Sequence, residues 1–130
     1  MPIVKDCGRQ DVLAADIDFD FSDLVNGTAV GVIDLPIGAI VTGGFLATLV
    51  ALDSGTSDVI VVKGVAGDAL SGSVNVHALG CTALTPSGAL TATNGNVTVT
   101  WTGVGAAPSA GKCRLVVNYI VDGRSHHSHG

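Results

Sequence analysis

Three aspartates in the run DIDFDF, Asp16, Asp18 and Asp20, have the alternate spacing with which a calcium loop begins, where oxygens converge on one ion. Such a loop also needs a glycine at its sixth position and a bidentate glutamate at its twelfth, and Phe21 and Gly27 stand there instead. On a strand the three carboxylates would stand about 6–7 Å apart in a line rather than around a point. They are expected to be solvent-facing charges that keep an edge strand from pairing with a stranger. His126, His127 and His129 make a compact imidazole group near the end of the sequence, of a kind that can bind transition metals. A terminal tract has no surrounding groups to orient its rings, so a tail is the expectation. His77 and Cys81, four residues apart, offer a base and a thiol, which is weak grounds for a nucleophilic pair. Ser109-x-x-Lys112 has the spacing of some acyl-transfer enzymes, but that pattern acts on a helix, and here it lies in a Gly/Ala/Pro loop. No G-x-S-x-G elbow, H-E-x-x-H pair or phosphate-binding G-x-x-x-x-G-K occurs. No catalytic residue, cofactor site or metal site is therefore assigned, and the chain is read as not an enzyme.

The thiols Cys7, Cys81 and Cys113 are odd in number and match no zinc or redox spacing, so reduced side chains are expected. The start MPIVKDCGRQ lacks the basic and apolar regions of a secretory signal, which points to synthesis in a reducing cytoplasm. Residues 35 to 52 carry no charge, but Pro36, three glycines and aspartate flanks argue for two buried strands and a turn rather than a membrane span.

The elements that must position these residues are strands. The acidic side chains are all Asp, with no Glu, and Asp is a poor helix former. DIDFDF alternates strictly, placing Ile17, Phe19 and Phe21 on one face. Asn26-Gly27 marks a turn before AVGVIDL, and Pro36-Ile37-Gly38 leads into AIVTGGFLATLVAL, where Gly43-Gly44 suggests a bulge. DSGTSD forms a loop before DVIVV, and SVNVHAL alternates again, with Cys81 to Thr85 extending it or crossing to another edge. LTAT and NVTVTWT flank Asn94-Gly95, a strong hairpin signal, and KCRLVVNYIVDG closes the series. About eight short strands without helical periodicity predict an all-β fold, an antiparallel sandwich, jelly roll or small barrel, whose closure and strand order the periodicity does not encode. The expected division is an N-terminal arm over residues 1–12, one β domain over 13–124 and a His-rich tail over 125–130.

At 130 residues the chain makes one domain with one core. Hydrophobic residues are 47% and charged residues only 13%, about half the usual share, which excludes intrinsic disorder. The net charge of -5, with scattered cations, also excludes a nucleic-acid partner. So few charges leave much of the exterior to Thr, Ser, Ala and Val, and apolar patches of that kind are covered by association. Trp101, Tyr119, Arg9, Arg114 and Arg124 are the candidate interface anchors, being the residue types enriched at such contacts.

The blocks LPIGAIVTGGFLATLVALDSGTSDVIVV and CTALTPSGALTATNGNVTVTWTGVGAAPSAGKCRLVVNYIVDGR resemble small virion proteins of tailed bacteriophages, encoded beside the major capsid protein. The likeness covers roughly residues 28 to 124, and it departs between Gly64 and Ser73, where those proteins have a longer segment. The resemblance implies an all-β, antiparallel β-sandwich of jelly-roll-like form, acting as a capsid decoration or cement protein on the virion exterior. Its partners would be the major capsid protein and further copies of itself, as a dimer or trimer, with no membrane and no cofactor. The other reading is a tail- or fibre-associated β-sandwich that binds host carbohydrate.

Overall fold

Strands with one greasy face cannot stand alone, and this chain resolves the problem by closing two sheets on one another. The computed structural model describes residues 12–88, 91 and 95–121. Eight strands follow in order: β1 (Leu13–Asp20), β2 (Ala29–Leu35), β3 (Ala39–Val50), β4 (Ser57–Lys63), β5 (Val74–Asn75), β6 (Gly80–Ala83), β7 (Gly95–Val104) and β8 (Lys112–Val121). The only helical piece among the described residues is a 3-10 turn over Phe21–Asp23. Sheet I has the order β1-β8-β3-β6 and sheet II the order β2-β7-β4-β5, and every pairing is antiparallel.

The pairing is nested. The first strand pairs with the last, the second with the seventh, the third with the sixth and the fourth with the fifth. A long hairpin rolled up in this way, with its strands dealt to two sheets, has the jelly-roll connectivity that the resemblance implies and the strand pattern alone left open. The core lies between the sheets. Phe19, Leu46, Leu115 and Val117 come from sheet I, and Ile60, Val62, Val97 and Val99 meet them from sheet II.

Local chemistry explains most element boundaries. Asp20 ends β1 by capping the 3-10 turn: its side chain accepts from the Ser22 backbone N–H, and Asp23 returns the favour to the Asp20 N–H, each at 3.0 Å. Gly27, with φ of +75°, turns the chain so that Val25 and Thr28 can bridge. The expected bulge is present, since the β3–β8 register slips between Val41 and Gly43. Gly44 has φ of +132°, and a Cβ there would lie 2.0 Å from the Val116 carbonyl oxygen, so only glycine fits.

One expectation needs correction. SVNVHAL yields only the two-residue β5, because the Asn75 side chain accepts the His77 N–H at 2.9 Å and bends the backbone out of the ladder. The chain then crosses to sheet I, where β6 pairs with β3. The expected LTAT–NVTVTWT hairpin falls largely outside the described residues; of LTAT they include Thr91, which exchanges backbone hydrogen bonds with Gly38 and Ala39, while β7 lies between β2 and β4. The expected arm up to residue 11 and the tail also lie outside them.

Candidate functional site

The inward face of β4 carries Asp58 in phase with Ile60 and Val62, so a carboxylate occupies a core position with no accessible surface. An unpaired charge there would be severely destabilising. Four hydrogen bonds offset the loss of water. Oδ1 accepts from the Ser54 hydroxyl at 2.5 Å and from the Trp101 indole Nε1 at 2.8 Å. Oδ2 accepts from the Ser54 backbone N–H at 3.1 Å and from His77 Nδ1 at 2.8 Å. Burial opposes ionisation of this carboxyl, yet the bonds from Ser54, His77 and Trp101 outweigh it and hold its pKa below the usual carboxylate value. An ionised carboxylate only accepts, so His77 Nδ1 carries a proton toward it, on a side chain that is 37% exposed.

This cluster is not a catalytic relay. In a nucleophile–base–acid series the hydroxyl meets the imidazole, whereas Ser54 and His77 each meet the carboxylate. What the arrangement does is join four segments: the 51–56 loop, β4, β7 and the β5–β6 connection. A second carboxylate, Asp53, does the same for the loop before β8. It accepts from the Ser109 N–H at 2.6 Å, the Ser109 hydroxyl at 2.8 Å and the Ala110 N–H at 3.0 Å. Asn26 clasps the Gly103 backbone through both side-chain atoms, at 3.0 and 3.1 Å. One end of the sandwich is thus stitched together by one buried side chain, Asp58, and two exposed ones, Asp53 and Asn26.

The other residues singled out in the sequence are accounted for individually. Asp18 pairs with Arg114 directly across from it on β8, through two bonds of 2.8 and 3.1 Å, and the pairing holds the aspartate's pKa down. Asp20 caps its turn, and both β1 side chains are engaged separately rather than around a common ion. β1 is an edge strand, as the alternating charges suggested. His77 bonds Asp58, and Cys81 sits exposed on β6 in the other sheet. Ser109 serves Asp53, and Lys112 opens β8 opposite Asp20. Cys113 is buried, which pushes its thiol up to about 11, with only a partial offset from a hydrogen bond to Thr48.

Among the proposed anchors, Trp101 is a core residue, 7% exposed, with its indole N–H given to Asp58. Tyr119 is half-buried and packs against the core from β8. Arg114 is exposed but held by Asp18, and Arg9 and Arg124 lie outside the described residues.

The outer face of sheet I also carries apolar side chains, though half-buried ones. Phe45 and Ala47 alternate with buried Leu46 and Thr48, so they face away from the core. Val116 lies opposite Phe45 on one side and Ala83 on the other, with Cys81 opposite Ala47. Leu79, 69% exposed, continues this surface past the end of β6. The sequence signal for it was present but unused: in GGFLATLV both parities are apolar, which marks a strand greasy on two faces.

No family model matches the chain, and no curated protein matches it. Solved structures do. A chain of the cyanophage Pam1 capsid asymmetric unit is 25% identical with a TM-score of 0.61, over 93% of this chain and 92% of that one. A chain of the capsid of Ralstonia phage GP4 is 22% identical with a TM-score of 0.55, over 93% and 90%. A chain of Bacillus endospore appendages, described as disulfide-linked pili, has a TM-score of 0.49 at 21% identity, over 93% and 100%, too distant to bear on this one.

Proposed function

We propose that this chain is a structural protein of a tailed-phage virion that decorates and cements the outside of the icosahedral capsid, bridging subunits of the major capsid protein. The observation that carries the reading is the end-to-end likeness to a chain of the cyanophage Pam1 capsid, which spans 93% of the present sequence. The residues fit a passive role. The buried carboxylate of Asp58 and the exposed one of Asp53 are engaged in fixing loops, and the outer face of sheet I offers Phe45, Ala47 and Leu79 to a neighbour. A protein that binds only the assembled shell stabilises it by its binding free energy, repeated at every lattice position. On this reading it acts in the virion after synthesis in the host cytoplasm, and it self-associates there. Carbohydrate recognition has less to work with, because all five aromatic side chains are buried or half-buried.

The test is reconstitution. Purified protein is mixed with native shells stripped of it, and bound protein is quantified after sedimentation. Saturable, stoichiometric binding that raises the temperature of shell disruption supports the proposal. Shells equally heat-resistant with and without saturating protein would refute it.

A further inference from the structure

We infer that β6 is a self-pairing edge, through which two copies of this chain join their sheets I into one continuous antiparallel sheet. The inference deepens the self-association part of the proposed function and is independent of its capsid part.

Two sandwich sheets leave four edge strands, and three of them are guarded. β1 carries Asp16, Asp18 and Asp20, so a second β1 laid against it would set carboxylate against carboxylate. β2 carries Asp34, bonded to Asn96, beside a register slip between Gly31 and Ile33 that distorts its ladder. β5 is only two residues long. β6 has none of these protections. Its sequence, GCTA, is uncharged, all four residues are exposed, and no described strand pairs along its outer side.

The phase of its free hydrogen-bonding groups follows from one bond. Leu84 N–H donates to the Gly44 carbonyl at 3.0 Å, in line with the β3–β6 register. Alternate residues of an antiparallel strand face alternate sides, so Thr82 and Gly80 face β3 while Cys81 and Ala83 turn their N–H and C=O groups outward. A two-fold axis at Thr82 brings Cys81 of one copy opposite Ala83 of the other, and both outward pairs become reciprocally bonded. Thr82 then meets its own equivalent, a favourable cross-strand pair.

Charge does not oppose a second copy at this edge. Each chain carries -5 overall, so two copies repel wherever their aspartates face. β6 and its outward neighbours on β3, Phe45 and Ala47, carry no charge, and this is where like chains approach without that penalty. Association here would also make the exposed Leu79 side chains of both copies part of one apolar border.

The experiment is sedimentation velocity of the full chain and of two variants. Ala83→Pro removes an outward N–H and leaves the β3–β6 bonds intact, since those belong to Thr82 and Gly80. We expect a dimer for the parent chain and a dissociation constant at least tenfold weaker for Ala83→Pro, with unchanged circular dichroism. Ala83→Cys, under mild oxidation, should trap a covalent dimer through Cys81 of the second copy, and adding Cys81→Ser should abolish the trap. A parent chain that stays monomeric, a trimer, or an Ala83→Pro variant that dimerises as well as the parent would each overturn the inference. Shell binding measured on the same samples separates the two readings. Loss of dimer with retained binding defeats only the edge pairing, while an intact dimer that ignores shells defeats only the capsid role.

Discussion

A single carboxylate decides how four segments meet. Asp58→Ala would leave the Trp101 indole, the Ser54 hydroxyl and the His77 ring without their acceptor, and we expect a loss of about 3–5 kcal/mol in urea unfolding. A loss below about 1 kcal/mol would mean that water replaces the carboxylate without penalty. The same group sets an acid limit. Its pKa is lower folded than unfolded, so its stabilisation is complete above the ordinary carboxylate value of 3.8 and is lost as pH falls through the depressed folded value. Asp58→Asn should therefore flatten the decline of stability over that acid range, measured as unfolding midpoints from pH 5 to pH 2. The thiols give a second residue-level contrast. Cys113 is buried and raised to about 11, whereas Cys81 is exposed, so in a Cys7→Ser background one thiol should react rapidly with a maleimide and Cys81→Ser should remove it. Rapid labelling of Cys113 in the folded chain would contradict the packing of β8.

Among the elements, β3 bears the greatest constraint, because it pairs with β8 and β6 while bending at Gly44. Gly44→Ala places a methyl group against the Val116 carbonyl in a left-handed backbone region, and we expect at least about 3 kcal/mol of destabilisation or failure to fold. The bulge at Gly43-Gly44 was legible in the sequence for that physical reason, as were the inward residues of β1 and β7, where Asp or Thr alternates with apolar side chains. The role of Asp58 was not. In DVIVV both parities are apolar, so nothing local tells that Asp58 shares the inner face with Ile60 and Val62. Nor could local pattern foresee that β7 takes β2 and β4 as neighbours, since lateral partners in a sandwich are chosen by burial across the whole chain. His77 was singled out beside Cys81 because the two are close in sequence. The fold sends one to sheet II's buried carboxylate and the other to sheet I's open edge.

For the whole molecule, a core closed between two sheets leaves a surface poor in charge, with half-buried Phe45 and Ala47 on the outside of sheet I. The loops at one end are stiffened by Asp53, Asp58 and Asn26, so the surface beside them is held in shape before any partner arrives, which favours tight association. On the proposed capsid role, a lattice would cover such a surface many times over. The most direct measurement is electron cryomicroscopy of native shells incubated with the purified chain. We expect density for two four-stranded sheets at regular positions on the outer surface, spanning the seams between capsid subunits. Shells that remain bare at saturating concentration would contradict the capsid role.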